Sequence, residues 1–214
     1  RRSPHSSPRC SDASHDRRPV PRAPRRSAVP PGDLLARHRV RHLAVVVCLL
    51  CGVVAAGLPV YVRPQVDQLR HADAILVLSG PKHGRYPFGL DLAEQGWAPE
   101  LVISNPAGTD NRRLADLCAA PDPGITVHCF VPDPVTTKGE GRELRRLATL
   151  HGWHTVIVVT FQPHISRARY ILGQCFDGDL VMVASPAHLT PARWGFEYAY
   201  QTAGYVRAVL QPGC

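Results

Sequence analysis

The sequence predicts an α/β domain of about 150 residues carried behind one membrane-spanning helix. Three observations predict it. Residues 43–62 form an apolar run without a charge. After residue 70, short apolar runs alternate with stretches of helical pattern. All of the excess positive charge lies ahead of the apolar run.

The chain has 214 residues, 44% of them hydrophobic, which suffices for one domain with its own core. Its formal net charge is +8. Residues 1–41 hold 11 Arg and 3 Asp, a net of +8, whereas residues 42–214 hold 14 basic and 14 acidic side chains. A basic surface can bind nucleic acid or anionic lipid. Basic residues confined to one side of an apolar run follow the positive-inside pattern instead. No nucleic-acid partner is therefore expected. The expected arrangement is a single pass through the plasma membrane, with the N-terminus cytoplasmic and the C-terminal domain outside.

Residues 1–33 are rich in Arg, Pro and Ser and poor in apolar side chains. Such a segment buries too little surface to offset its chain entropy, so a disordered tail is expected. The membrane helix is expected over residues 42–62, within which LAVVVCLLCGVVAAGLPVYV spans a hydrocarbon core of about 30 Å at 1.5 Å per residue. Arg37, Arg39 and Arg41 precede it, and Tyr61 and Arg63 mark its far end. A cleaved signal peptide is the main rival, with a weak cleavage site at residues 55–57. Its core would be shorter, so the anchor is preferred.

The domain is expected over residues 70–214. Strands are predicted at 74–78 (AILVL), 101–104, 125–131, 155–160 (TVIVVT) and 180–184. Helices are predicted at 86–97, 110–118, 140–151, 164–172 and 194–210. Continuous apolar strands between helices imply a mainly parallel sheet of about five strands, covered on both faces. That is a Rossmann-like, three-layer architecture.

Four of the seven cysteines lie in the domain: Cys118, Cys129, Cys175 and Cys214. An even number in an oxidising compartment points to disulfides. Cys118 and Cys129 flank one short loop and are the first choice of pair, which leaves Cys175 with Cys214. Four free buried thiols are the alternative. The soluble part has no CxxC pair, and no metal is expected.

In an open parallel sheet, ligands bind where strand carboxyl ends meet helix N-termini. That rule selects Ser79, Gly80, Lys82, His83, Gly84 and Arg85 after the first strand, and Ser104 and Asn105 after the second. It selects Asp133, Thr136, Thr137 and Glu140 after the third, and Thr160, His164 and Arg167 after the fourth. In VIVVTFQPHISRARYIL, His164 opens a helix and Arg167 lies one turn on, on the same face. A helix start with a His and an Arg can hold phosphate or carboxylate, and a neutral His164 can move protons. Alternatively, His164 caps the helix and Arg167 pairs with a surface acid. In PVTTKGEGREL, Thr137 and Glu140 have capping-box spacing, or else line the same cleft as His164. The glycines of SGPKHGR form neither GxGxxG nor a P-loop.

Taken in order, ADAILVLSG, Arg85, GLDLAEQGWAPELVIS, PVTTKGE and the V-V-T-x-x-x-H-x-x-R-A segment at 158–168 resemble the YdcF-like family, which includes SanA and ElyC. The resemblance covers residues 72–185. It implies a Rossmann-like domain behind one membrane helix and a role in envelope biogenesis, linked to peptidoglycan and lipid-carried sugar intermediates. SanA-like members are associated with vancomycin exclusion, and a nucleoside-type cofactor has been proposed for some relatives. The resemblance brings Ser79, Gly80, Arg85, Ser104, Thr137, Glu140, Thr160, His164 and Arg167 into one cleft. The chain departs from the family pattern at Pro81, Asn105 and Gly141.

The expected function is binding or turnover of an anionic, phosphate-bearing cell-wall intermediate, polyprenyl-linked, by a hydrolase or transferase. Arg85 and Arg167 would bind the anion, with Ser79, Gly80, Ser104, Thr137 and Thr160 around it. His164 would be the acid–base group and Glu140 would orient it. The alternatives are a non-catalytic binding module and a nucleotide- or S-adenosylmethionine-binding enzyme. The cofactor is left open.

Overall fold

The computed structural model describes residues 31–80, 84–119 and 124–214. Most of the tail expected to be disordered therefore lies outside the described residues. Its last three positions, 31–33, already belong to a helix, α1 (Pro31–Gly57). A π-helical turn, Leu58–Val62, continues α1. The described chain divides between Val47 and Cys48 into two units. The first contributes only the N-terminal part of α1 among the described residues, and the second holds everything after it.

The stretch Ala36–Val62 is long and apolar enough to cross a membrane, with a mean hydropathy of 2.7 in its best window. Only 6% of that window is buried, so this is not the core helix of a soluble domain. Leu43, Leu49, Leu50 and Val53 are each at least 60% exposed.

The second unit contains β1 (Ala74–Val77), α2 (Arg85–Glu94), β2 (Glu100–Ser104), α3 (Arg112–Ala119) and β3 (Thr126–Phe130). It continues with α4 (Thr137–His151), β4 (Thr155–Phe161), α5 (Ile165–Leu172), β5 (Asp179–Ser185) and α6 (Pro191–Leu210). The five strands form one all-parallel sheet in the order β3-β2-β1-β4-β5. The α/β class is thus as expected. Ala74 to Val77 are fully buried because β1 is central and covered on both sides.

Side chains alternate between two apolar layers, as strand geometry requires. Leu76, Leu78, Val102, Val158 and Met182 face Leu144 and Leu147 of α4 and Ile165, Ala168 and Leu172 of α5. Ile75, Val77, Leu101, Ile103 and Val159 face Leu92 and Ala93 of α2 and Leu114 of α3. Each large aliphatic side chain buried this way contributes about 1.5–3 kcal/mol. Gly89 lets α2 approach β1, since an added Cβ would strike Val77 Cγ2.

Cys118 is joined to Cys129, and Cys175 to Cys214. The second bridge explains Gly141, because a Cβ there would stand 2.8 Å from Cys175 Sγ.

The strand order reverses direction between β1 and β4. A crevice therefore opens beyond their carboxyl ends, the usual ligand position in such sheets.

Candidate functional site

The chain leaves β1 through Leu78, Ser79 and Gly80. Gly80 has φ 138°, a conformation that favours glycine, and a Cβ there would lie 2.5 Å from Arg85 Nη2. The turn brings Arg85, at the start of α2, back over the strand end. Its Nη1 donates to the carbonyls of Leu78 (3.2 Å) and Ser79 (2.5 Å), and its guanidinium lies 5.1 Å from the Phe161 ring centroid. Burial lowers the Arg85 pKa from its ordinary value, but a guanidinium stays charged at neutral pH.

The first turn of α4 supplies the next three groups. Thr136 is the N-cap, and its Oγ1 accepts the Gly139 amide at 3.4 Å. Thr137 does not cap the helix, and no capping box forms between Thr137 and Glu140. The Thr137 hydroxyl instead meets His164 Nε2 at 3.3 Å, and Glu140 Oε1 accepts the Ser79 amide at 2.6 Å. Glu140 is 1% exposed. It therefore fastens α4 to the end of β1, and its hydrogen bond goes to Ser79, not to His164.

β4 passes through a 3-10 turn, Gln162–His164, into α5. Pro163 suits that first turn, where an amide hydrogen is dispensable. His164 is 4% exposed and makes no side-chain capping bond. Thr160 Oγ1 meets its Nδ1 at 2.9 Å, so both ring nitrogens face threonine hydroxyls. Burial holds the His164 pKa well below 6.5, and the charges of Arg167 and Arg85 push it the same way. The ring is neutral at physiological pH. One threonine must then donate to it and the other accept from it.

Arg167 does not seek a surface acid. Its Nε donates to Gln201 Oε1 at 2.8 Å, and its guanidinium lies 5.7 Å from the Tyr200 ring centroid. Gly204 leaves room for it, since a Cβ there would stand 2.9 Å from Arg167 Nη1. Burial lowers the Arg167 pKa as well.

α6 provides a further wall of the cleft, and the strand-end rule selects no residue on it. Arg193, Glu197 and Gln201 lie on successive turns. Arg193 pairs with Glu197 at 2.6 Å, and Gln201 Nε2 donates to Glu197 Oε2 at 2.9 Å. Glu197 and Gln201 are each 1% exposed. The chain of contacts runs from Arg193 through Glu197 and Gln201 to Arg167. The available signal was Arg, Glu and Gln at four-residue spacing in a helix otherwise rich in aromatic and small residues.

These elements enclose a cleft of about 790 Å³. Ser79, Gly80, Arg85, Thr137, Glu140, His164 and Arg167 line it, while Thr160 stands behind His164. Ser104 is not brought in. It is buried at the end of β2, one strand away from the crevice; its carbonyl accepts the Tyr86 hydroxyl at 2.9 Å. Asn105 serves its own turn, donating to Gly108 O at 2.8 Å. Lys82 and His83 lie outside the described residues. Arg85, Lys138, Arg167, Arg193 and Arg207 face the cleft against Glu140 and Glu197. Such a site can hold an anion and offers a neutral imidazole next to it. Among the described residues, the one trio with metal-ligand types in reach of each other, Glu100, His128 and His151, lies at the opposite, amino end of the sheet.

Comparison with protein-family models, curated proteins and solved structures finds no match for this chain.

Proposed function

We propose that the chain is a membrane-anchored envelope-biogenesis protein of the YdcF-like type, whose cleft takes a phosphate-bearing, polyprenyl-linked cell-wall intermediate. One observation carries this reading. Five cations and two carboxylates line a single cleft in a domain whose overall charge is balanced. Arg85 and Arg167 hold the phosphate, and the cleft volume suits a sugar-phosphate head group. His164 serves as the acid–base group: with its Nδ1 hydrogen donated to Thr160, Nε2 can take a proton from Thr137 or from a hydroxyl bound beside it.

The α6 wall of the cleft is joined to the end of the apolar helix, which supports a lipid-linked substrate. Tyr61 meets Tyr198 edge to face at 5.1 Å and hydrogen-bonds Thr202 at 2.9 Å. Ser166 donates to Val60 O at 2.8 Å, and Gly57 packs directly under the Tyr198 ring. The two disulfides fit an oxidising compartment. They support the reading in which the domain stands outside the plasma membrane and the Arg-rich tail inside.

The test is binding of a polyprenyl phosphate to the full chain in lipid nanodiscs, with the corresponding polyprenol as control. Binding of the phosphate alone, lost in Arg167→Ala, is the expected result. Equal binding of alcohol and phosphate would overturn the reading. A non-catalytic binding module is the second reading, favoured by the threonine contact at each His164 nitrogen. It predicts that His164→Ala restores an envelope-defective strain while Arg167→Ala does not. A catalytic His164 predicts failure of both.

A further inference from the structure

We propose that Glu100, His128 and His151 form a binding site for a zinc-type divalent metal ion, separate from the cleft. Glu100 opens β2, His128 sits in the middle of β3, and His151 ends α4. His128 pairs in register with Val102, two residues from Glu100, so both side chains project from the same face of the sheet. The end of α4 packs over that face.

The geometry is close to a coordination sphere. Glu100 Oε2 lies 2.7 Å from His128 Nε2 and 3.7 Å from His151 Nδ1. All three ligand atoms lie within 4.8 Å of one another. Ligands about 2.1 Å from a tetrahedral zinc stand about 3.4 Å apart, so side-chain adjustment alone closes the set.

The surroundings orient the ligands. Trp153 Nε1 donates to the other carboxylate oxygen, Glu100 Oε1, at 2.9 Å, which turns Oε2 toward both imidazoles. The His151 ring stacks on Trp153 with centroids 5.1 Å apart. The three ligand side chains are 20–29% exposed, so an ion can reach them from solvent.

Two imidazoles and one carboxylate select zinc, copper or nickel over magnesium or calcium. Three protein ligands leave a fourth position for water. An ion there would tie β2, β3 and the end of α4 together. A plain His128–Glu100 ion pair explains one contact of the cluster. It does not require His151 to turn Nδ1 toward the same oxygen.

The experiment is a Co²⁺ titration of the detergent-solubilised full chain, read by visible absorption, followed by displacement with Zn²⁺. One equivalent is expected to bind with the absorption of a low-symmetry site. His151→Ala and Glu100→Gln should each weaken it about a hundredfold or more, since even outer-shell losses cost 10–100-fold. Glu100→Gln keeps an acceptor for Trp153, so its loss of binding does not come from unfolding. The basic tail carries further histidines, and binding unchanged in both variants would assign the metal to the tail and overturn the site. Absence of saturable binding would overturn it too. Zn²⁺ should raise the melting temperature of the wild type and not of His151→Ala. Polyprenyl-phosphate binding in the cleft should be the same in both, so failure of this site leaves the cleft reading untouched.

Discussion

Glu140 Oε1 accepts the backbone amide of Ser79 at 2.6 Å, fastening the first turn of α4 to the end of β1. Ser79 lines the cleft and its carbonyl also receives Arg85, so one residue links the carboxylate and the guanidinium. Glu140→Ala leaves a part-buried amide without its acceptor. It should cost about 1–3 kcal/mol, seen as a lower denaturation midpoint at unchanged slope. Glu140→Gln retains an acceptor oxygen and should recover most of that loss. Glu140→Gln should also bind phosphate-bearing ligands at least as tightly as wild type, because it removes a negative charge from the cleft while keeping the contact to Ser79.

His164 gives stability a pH dependence whose sign follows from its surroundings. Its folded pKa lies well below 6.5, through burial and then through Arg167 and Arg85. In the unfolded chain it titrates near 6.5. Below that pH the unfolded state binds a proton that the folded state refuses. The folded state is therefore favoured fully above about pH 6.5 and loses stability as the pH falls, by at most about 1.4 kcal/mol per unit from this group. Melting curves from pH 8 to 5 should show a steeper decline in wild type than in His164→Asn. Parallel curves would show that His164 titrates normally in the folded protein.

The parts of the fold that were legible are those whose signal is local. AILVL and TVIVVT read as buried parallel strands because their apolar residues run without a break, and both are central in the sheet. His164 and Arg167 could be placed at one helix start by spacing alone. Glu140 was harder. The spacing Thr137-x-x-Glu140 reads as a capping box, whereas the partner it takes, Ser79, is 61 residues away in sequence. The strand-end rule also selects Ser104, which ends β2. The rule that strand ends carry ligands applies at the reversal of strand order, and that order is not written in any one segment. The Glu100–His128–His151 cluster is hidden for the same reason, because its groups come from separate elements, with Glu100 and His128 standing 28 positions apart. Glu197 and Gln201 lie on one helix at a spacing the sequence does show, but the link that carries them to the cleft, Gln201 to Arg167, joins residues 34 positions apart.

Arg167 is held by geometry as well as charge, so lysine should not replace it. Its Nε is engaged by Gln201, its guanidinium lies 5.7 Å from the Tyr200 ring centroid, and the side chain lines the cleft. Arg167→Lys retains the charge but loses the fork and the Gln201 contact. It should weaken binding of a phosphate-bearing ligand about tenfold or more, the cost of one charge-assisted hydrogen bond. Gln201→Leu should weaken it less, because the cation remains. Calorimetric titration of both variants separates the two contributions. Wild-type affinity in Arg167→Lys would show that charge alone acts there.

The bridge from Cys175 to Cys214 secures the rim of the cleft, and its removal should be felt there. Gly213 N donates to Gln174 Oε1 at 2.5 Å, and Lys138 Nζ donates to Gln211 O at 3.0 Å. Gln174, Lys138 and Gln211 all line the cleft. The bridge joins residues 39 apart, and on the chain-entropy account its loss costs about 4 kcal/mol, against about 3 for the 11-residue separation of Cys118 and Cys129. Cys214→Ser should therefore lower the unfolding midpoint more than Cys118→Ser. It should also weaken ligand binding, which Cys118→Ser should leave unchanged because neither Cys118 nor Cys129 lines the cleft. Thiol labelling in denaturant, mapped by mass spectrometry, provides the control: Cys118, Cys129, Cys175 and Cys214 should label only after reduction. Labelling of any of the four without reductant would remove the basis for the stability difference and for the oxidising compartment together.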